Sequence, residues 1–391
     1  MKILMINVVC GVKSTGRICT DLAMQLEKQG HEVKIAYGRD NIPSQYQRFA
    51  VRIGSNMDVK MHGLKARLFD GMGLGSKAAT EKFIEWVREY DPDVIHLHNI
   101  HGYYINVPVL FDYLKSSGKK VIWTLHDCWS FTGHCTYFNY ENCNRWQTGC
   151  GGCPQKGVYP VLWGSDRSAE NFKLKRSLFS GLSDLTIVTP SVWLENLVKA
   201  SYMGHYPIQT IHNGIDTSVF KPIKSDVHER LGLVGKKIIL GVAAVWDRRK
   251  GLDDFIQLSK HIDDSYAIVL VGLKEKQIEK LPEKIIGIRR TDSVAELVEL
   301  YSAAYVFVNP TYEDNYPTTN LEAIACGTPV ITYNTGGSPE SANEYGITLK
   351  DKNANSIYDA LPSVANIANT GANFSNEKTI QEYLTLYKEM L

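Results

Sequence analysis

The sequence predicts an α/β protein made of two doubly wound domains in tandem, each a parallel sheet covered by helices. Short β-rich runs alternate with amphipathic helical stretches from end to end. Most of the strands are nearly continuous apolar runs, as strands buried on both faces require. The length of 391 residues agrees with this division, because a domain takes about 150 residues.

The strands fall into two series, and helices such as Cys19–Gln29, Lys77–Tyr90, Val294–Ala303 and Thr318–Ala325 separate them. The first series is Lys2–Val9, Glu32–Tyr37, Val94–Leu97, Val121–Leu125 and Leu185–Thr189. The second series is Ile238–Ala244, Ala267–Val271, Ile285–Ile288, Tyr305–Asn309 and Val330–Tyr333. We place the domains at 1–205 and 206–375. Ligands of such sheets bind beyond the carboxyl ends of the strands, so functional motifs are expected there.

The charge balance argues against a dedicated nucleic-acid binder. Lys and Arg number 43 against 42 Asp and Glu, a net charge of +1, whereas a nucleic-acid-binding domain is normally strongly basic.

No apolar run approaches the ~20 residues of a membrane-spanning helix, and the apolar start Ile3–Cys10 is too short for a secretion signal. We therefore expect a soluble, cytoplasmic protein whose eight cysteines are reduced.

A glycine-rich turn, Cys10–Arg17, follows the first strand and precedes a helix. Its glycine spacing is like that of a P-loop, but Arg17-Ile18 stands where an ATPase loop has Lys followed by Ser or Thr. The turn is therefore not an ATPase loop. Glycines such as Gly16 let a ligand approach the backbone closely, and N–H groups before a helix attract an anion. An ordinary tight turn is the alternative interpretation.

Three adjacent cations follow the first strand of the second domain. Arg248, Arg249 and Lys250 precede Gly251, and together they have the charge to neutralise a diphosphate. A solvated basic turn is the alternative.

The segment Tyr312–Ala323 lies between a strand and a helix, with Thr318 or Thr319 as the expected N-cap. The first turn of that helix would offer unpaired N–H groups and the positive end of its dipole to a diphosphate. Asp314 and Glu322 flank this place, where carboxylates need hydroxyl donors such as those of ribose and sugar rings. A capped helix with an incidental acidic pair is the alternative.

Asp314 and Glu322 in this context resemble the E-x7-E signature of retaining glycosyltransferase family 4, whose members have the GT-B fold. That fold consists of two Rossmann-like domains facing a central cleft. The similarity extends over most of the chain and includes His126. It is strongest to bacterial colanic-acid, capsule, O-antigen and exopolysaccharide transferases, which carry a segment similar to Trp123–Trp129 and the Glu313-Asp314-Asn315 form of the signature.

The resemblance implies that the second domain binds a UDP- or GDP-sugar and that the first binds a saccharide acceptor, polyprenyl-linked in such enzymes. A C-terminal helix over 376–391 would cross back to the first domain. Catalysis would need no metal and would involve His126, Asp314 and Glu322. The implied donor-binding set is Gly16, Arg248, Arg249, Lys250, Asn315, Tyr316, Pro317, Thr318, Thr319 and Glu322.

Two departures from the family pattern concern this site. The first carboxylate is Asp314, shorter than the usual Glu, unless Glu313 takes its role through a one-residue bulge. Most relatives also have an arginine where this chain has Ala244, so Arg248 or Arg249 would supply that charge.

Five cysteines fall between positions 128 and 153, and four of them predict a structural zinc site by their spacing C-x7-C-x6-C-x2-C. Cys128 and His134 are substitute ligands, while unligated thiols or a disulfide are the alternatives. A catalytic zinc hydrolase is disfavoured, because no HExxH-like pair is present. The four predicted ligands are Cys135, Cys143, Cys150 and Cys153.

Two further hypotheses remain open at this point. A sugar-nucleotide epimerase or binder would share the same two-domain scaffold but act without an acceptor. Basic residues between Arg48 and Arg67 interleave with Met57, Met61, Leu64 and Leu68 at roughly helical spacing, which predicts peripheral contact with an anionic membrane. A solvated helix face is the alternative there. The sequence does not indicate the oligomeric state.

Overall fold

The computed structural model describes residues 1–367 and 374–390. The chain divides into two compact units: Met1–His212 together with the last residues from Thr379 onward, and Asn213–Lys378. Residues 368–373, which belong to the predicted second domain, and Leu391, the last residue of the predicted C-terminal helix, lie outside the described residues.

Unit 1 is a seven-stranded parallel sheet in the order β3-β2-β1-β4-β5-β6-β7. Its strands are β1 (Lys2–Ile6), β2 (Glu32–Tyr37), β3 (Ala50–Arg52), β4 (Val94–Leu97), β5 (Lys120–Thr124), β6 (Leu185–Thr189) and β7 (Ile208–Thr210). The helices are α1 (Lys13–Lys28), α2 (Asn56–Phe69), α3 (Lys77–Tyr90), α4 (Val107–Ser117), α5 (Ser168–Phe179) and α6 (Val192–Ala200). The strand order reverses between β1 and β4. A ligand is therefore expected beyond the carboxyl ends of these two strands.

Unit 2 is a six-stranded parallel sheet in the order β10-β9-β8-β11-β12-β13. Its strands are β8 (Lys237–Val242), β9 (Tyr266–Val271), β10 (Ile285–Ile288), β11 (Val306–Asn309), β12 (Val330–Tyr333) and β13 (Gly346–Leu349). The helices are α7 (Val227–Arg230), α8 (Leu252–Leu258), α9 (Glu275–Ile278), α10 (Val294–Ala303), α11 (Thr318–Ala325), α12 (Ser338–Ala342) and α13 (Ala354–Ala360). The reversal here lies between β8 and β11.

The C-terminal helix α14 (Asn376–Glu389) returns the chain to unit 1. Its apolar face, which includes Ile380 and Leu384, is buried in the same core as Ile3 and Cys19 of β1 and α1. The hydroxyl of Tyr387 lies 2.6 Å from Nδ1 of His96 on β4. The hydroxyl of Tyr383 lies 3.0 Å from Oγ1 of Thr124 on β5. The predicted doubly wound α/β fold is confirmed, including the C-terminal return.

The first βα connection differs in detail from the prediction. Strand β1 ends at Ile6 rather than Val9, because the side-chain amide of Asn7 donates to the carbonyl of Val9 and begins the turn there. Helix α1 begins at Lys13, several residues before the predicted Cys19.

Candidate functional site

The site is built where the strand order of unit 2 reverses, on the two loops that follow β8 and β11. Beyond β8, Asp247 caps a short 3-10 turn, because its Oδ1 accepts a hydrogen bond from the N–H of Arg249 at 3.0 Å. Beyond β11, the N–H of Tyr312 donates to the carbonyl of Arg249 at 2.7 Å. Gly251, at φ +69°, lets the two loops meet, since a Cβ there would lie 2.4 Å from the carbonyl oxygen of Pro310.

A basic and an acidic side chain from these two loops form an ion pair. Nζ of Lys250 lies 2.5 Å from Oδ2 of Asp314, and the two side chains are 25% and 17% exposed. The other oxygen of Asp314 accepts the N–H of Asn315 at 3.0 Å. Glu313, by contrast, is 2% exposed. Asp314 therefore contacts a cation, and it is the more accessible of the two candidates for the first carboxylate.

Gly336 holds the Asp314 segment from the other side. It has φ +58°, and a Cβ at this position would lie 1.9 Å from the carbonyl oxygen of Asp314. The N–H of Gly337 donates to the same carbonyl at 3.4 Å. The glycine turn after β12 therefore supports the acidic loop by direct backbone contact, which no residue with a side chain could make without displacing it.

Helix α11 starts at Thr318, with the same bounds that the sequence predicts. The expected N-cap by Thr318 or Thr319 is wrong. The N-cap is Pro317, which has no side-chain oxygen, and the two threonines are the first helical residues. Without a side-chain cap, the first-turn N–H groups and the positive end of the dipole favour an anion at this helix start.

Glu322 lies one turn further along α11 and is 5% exposed. The hydroxyl of Tyr301, from the neighbouring helix α10, donates to its Oε2 at 3.0 Å. A carboxylate buried to this extent needs such donors, because removing it from water is otherwise costly. Sequence reasoning missed Tyr301, since nothing in the local pattern of α10 distinguishes it from an ordinary core tyrosine.

A buried polar network fixes the back of α11. The side-chain amide of Asn309, at the end of β11, donates to Oδ1 of Asn320 at 2.9 Å. The amide of Asn320 in turn donates to Oγ of Ser341 on α12 at 2.8 Å, and Asn320 is fully buried. Sequence reasoning missed this network as well. It ties α11 to the end of β11 and to α12.

The remaining predicted donor-site residues of unit 2 differ in accessibility. Arg248 is exposed and Arg249 half-buried, with Nε of Arg249 3.1 Å from Oδ2 of Asp247. Asn315 and Tyr316 are buried, and burial raises the pKa of Tyr316. These two residues therefore contribute to the interior of the loop.

His126 follows β5 in unit 1 and is paired with a second histidine. Its Nε2 lies 3.0 Å from Nδ1 of His98, which follows β4. Burial lowers the pKa of His126 to about 4, so its imidazole is neutral at pH 7. Asp127 lies 2.9 Å from Nε2 of His101. Burial would raise the pKa of Asp127, but the charge and hydrogen bond of His101 lower it overall.

Gly16 lies inside the first turns of α1 rather than in the turn before it. Its carbonyl accepts the N–H of Gly11 at 3.1 Å, and a Cβ at Gly16 would lie 3.0 Å from Cγ2 of Val9. The glycine therefore closes the connection between β1 and α1. Its contact with a ligand stays a prediction.

The four predicted zinc ligands line one pocket in the connection between β5 and α5. The thiols of Cys135 and Cys153 share a hydrogen bond, which raises the pKa of Cys135 and lowers that of Cys153 to about 7. The sulfur of Cys150 accepts the N–H of Gly133 at 3.2 Å. Among residues 1–367 and 374–390, no group of three or more His, Cys, Asp or Glu side chains is placed so that it could hold a metal ion. Zinc binding stays a prediction that the metal content of the purified protein can decide.

Two family models match the chain. Residues 15–219 match Glycosyltransferase Family 4, and residues 236–366 match Glycosyl transferases group 1. The chain belongs to glycosyltransferase family 4. This family 4 glycosyltransferase is 24% identical to WcaC of Escherichia coli (strain K12), assigned by name to colanic acid biosynthesis, over the full length of both chains. It is 25% identical to a diphospho-undecaprenol N-acetylgalactosaminyltransferase of Campylobacter jejuni, over 46% of this chain and 53% of that one.

Solved structures show the same GT-B fold. Sucrose-phosphate synthase from Thermosynechococcus elongatus superposes with a TM-score of 0.72 at 18% identity, covering 100% of this chain and 98% of that one. Anabaena HepE in complex with UDP-glucose superposes with a TM-score of 0.65 at 15% identity and covers both chains fully. Across the described parts of this family 4 chain, no helix is long and apolar enough to cross a membrane.

Proposed function

We propose that the chain is a retaining glycosyltransferase that transfers a sugar from a UDP- or GDP-sugar to a polyprenyl-linked saccharide during bacterial surface polysaccharide synthesis. The observation that carries this proposal is the ion pair between Lys250 and Asp314 of the loop that leads into α11, with Glu322 one turn into that helix. A cation, an uncapped helix start and two carboxylates at one reversal of strand order suit a sugar attached to a diphosphate.

The diphosphate would bind at the helix start. Lys250 has three N–H donors, so its ammonium can hold Asp314 and a phosphate oxygen together. Arg249 would supply the second charge, and the first-turn N–H groups of Thr318 and Thr319 would donate to the same oxygens. Because Asp314 is partly exposed beside Lys250, its carboxylate would accept hydroxyls of the transferred sugar.

Glu322 would bind the ribose hydroxyls. Tyr301 already donates to one of its oxygens, so the carboxylate is oriented before the donor arrives. The carboxylate of Glu322 would accept the paired hydroxyls of a pentose, and burial strengthens such charge-assisted hydrogen bonds.

In the transfer step, the bond between the anomeric carbon and the diphosphate oxygen breaks, and a bond from the acceptor hydroxyl oxygen forms on the same face. The acceptor proton passes to the departing diphosphate. His126 is neutral at pH 7 and would act by hydrogen bonding to the reacting sugar rather than as a charged acid. Lys250, Arg249 and the α11 dipole would stabilise the negative charge that develops on the leaving group.

The acceptor part of the proposal draws support from two relatives. WcaC is assigned by name to colanic acid biosynthesis, and the Campylobacter enzyme is named for a diphospho-undecaprenol substrate. The donor part draws support from HepE, whose crystal structure is a complex with UDP-glucose.

A thermal-shift screen with UDP, GDP and ADP tests the donor site. A ligand that binds only the folded state raises the melting temperature, so the correct nucleotide should stand out. Glu322→Gln should lose most of that shift, whereas Glu344→Gln, at an exposed position of the same unit, should keep it. No shift with any nucleotide, or an unchanged shift in Glu322→Gln, would refute the site.

Two further measurements separate the remaining possibilities. The anomeric configuration of the product, read by NMR, should equal that of the donor sugar. Donor consumption should depend on added acceptor. Conversion that is equally fast without acceptor would favour the epimerase hypothesis instead.

A further inference from the structure

Helix α2 packs against the rest of unit 1 through one face. His62, Gly63 and Ala66 are its buried residues. Nε2 of His62 accepts the N–H groups of Gly73 and Gly75 at 3.2 and 3.1 Å. These contacts fix which side of the helix faces the core.

The opposite face of α2 carries an apolar stripe. Met57, Met61, Leu64 and Leu68 are 63%, 47%, 42% and 40% exposed. At about 100° per residue, these four positions fall within about 60° of the helix circumference. Single exposed apolar residues are ordinary, but a continuous stripe on a folded domain marks an interaction surface.

A residue distant in the sequence extends this stripe at its C-terminal end. Trp163 is 64% exposed. The backbone N–H of Trp163 donates to the carbonyl of Arg67 at 2.7 Å. The Arg67 guanidinium lies 5.3 Å from the centre of the indole ring. We call Met57, Met61, Leu64, Leu68 and Trp163 together the α2 face.

The end of α2 is locked to the segment that carries Trp163. Asp70, 4% exposed, follows the last residue of the helix, and its Oδ1 lies 2.5 Å from Nδ1 of His134. Its Oδ2 accepts the N–H of Arg167 at 3.0 Å, and its carbonyl accepts the amide of Asn171 at 2.6 Å. The α2 face is therefore a fixed surface rather than a chance arrangement of two mobile segments.

Basic residues border the stripe on both sides. Lys60 and Lys65 are exposed and flank it on the helix, and Arg52 is exposed just before the helix begins. The one acidic residue of the helix, Asp58, is engaged at the N-cap, where its Oδ2 accepts the N–H of Ser55 at 2.7 Å. The surface therefore combines an apolar centre with a positive rim.

We infer that the α2 face docks on an anionic lipid bilayer. Met and Leu side chains would enter the boundary of the acyl chains, Trp163 would lie at headgroup level, and Lys60 and Lys65 would contact lipid phosphates. The role of this docking in catalysis rests on the proposed polyprenyl-linked acceptor, because docking would bring the enzyme and that acceptor together. Binding to vesicles does not depend on that proposal.

Sedimentation of the full chain with vesicles tests the inference. We expect binding to phosphatidylcholine vesicles that contain phosphatidylglycerol, weaker binding at high salt, and little binding to pure phosphatidylcholine. Lys60→Gln with Lys65→Gln should lower the partition coefficient about thirtyfold, because each cation near an anionic surface contributes about 1 kcal/mol. Met61→Ser with Leu64→Ser should lower it by about tenfold or more.

Matched substitutions in unit 2 provide the controls. Val234→Ser removes an apolar side chain that is 70% exposed, and Lys276→Gln with Lys280→Gln removes two exposed cations. These variants should sediment with vesicles like the wild type. All variants should keep the nucleotide thermal shift, because none of the changed residues belongs to the donor site.

Three outcomes would overturn the docking inference. The wild type could fail to bind the anionic vesicles, or the α2 variants could bind as well as the controls. The third is a vesicle-free dimer that Met61→Ser with Leu64→Ser abolishes, which would make the α2 face a contact between copies of the chain. If the nucleotide shift persists in any of these cases, the glycosyltransferase proposal stands while the docking inference fails.

Discussion

Removal of the Tyr387 hydroxyl should destabilise unit 1, because that hydroxyl holds the C-terminal helix to the sheet. Tyr387 and His96 are both fully buried, and their hydrogen bond is 2.6 Å long. Tyr387→Phe keeps the ring but leaves Nδ1 of His96 without this partner, and an unsatisfied buried group costs about 1–3 kcal/mol. For a unit of this size, about 2 kcal/mol corresponds to a melting temperature lower by about 4–8 °C.

The assay is thermal unfolding followed by circular dichroism, with the two units treated as separate transitions. Tyr358→Phe is the matched control, since this tyrosine is 38% exposed and should change the free energy of unfolding by less than about 0.5 kcal/mol. A double-mutant cycle of Thr124→Val and Tyr383→Phe should give a coupling energy of about 1 kcal/mol. If Tyr387→Phe unfolds at the wild-type temperature, the hydroxyl does not fasten the helix and the reasoning is wrong.

The remaining predictions concern the site and the pH dependence. His126→Ala should fold normally yet lose about a hundredfold in transfer rate, and near-wild-type turnover would remove His126 from the site. Lys250→Met should lower kcat/KM about a hundredfold, and adding Asp314→Asn should cost less than the sum of the single changes because the two side chains are paired; full additivity would show that they act independently. Burial lowers the pKa of His62 to about 4 in the folded chain, against about 6.5 when unfolded, so the unfolded chain binds the proton first. The free energy of unfolding should therefore fall as the pH drops from 6.5 towards 4, and His62→Gln should reduce this dependence; an equal pH slope in both proteins would contradict it.

The strands that are buried on both faces could be predicted from the sequence, and so could the edge strand β10, but the other three edge strands could not. The central strands are continuous apolar runs, as in Ile238–Leu240 of β8. The missed strands β3, β7 and β13 each lie at the edge of a sheet, and they are short and only partly buried. Their residues therefore lack the apolar signal on which the prediction depends.

In the candidate site, too, some features could be predicted from local sequence motifs, whereas others depend on contacts between distant parts of the chain. The bounds of α11 and the proximity of the loops that carry Lys250 and Asp314 could be predicted, because both motifs directly follow strands. Tyr301 and Asn320 could not be predicted, because their partners come from helices and strands that only the folded chain brings near. The wrong N-cap arose because a Thr-Thr pair before an apolar run has the composition of a cap, while the proline before it takes that position.

The burial of Asp70 has a consequence for the construction of chimaeras with relatives. Its contacts tie the end of α2 to His134, Arg167 and Asn171, so two segments far apart in the chain share one internal anchor. Grafting only the cysteine-containing segment from a relative would leave the carboxylate of Asp70 in the protein interior without its His134 partner. Chimaeras that exchange both segments as a single module should retain expression and solubility where single exchanges do not.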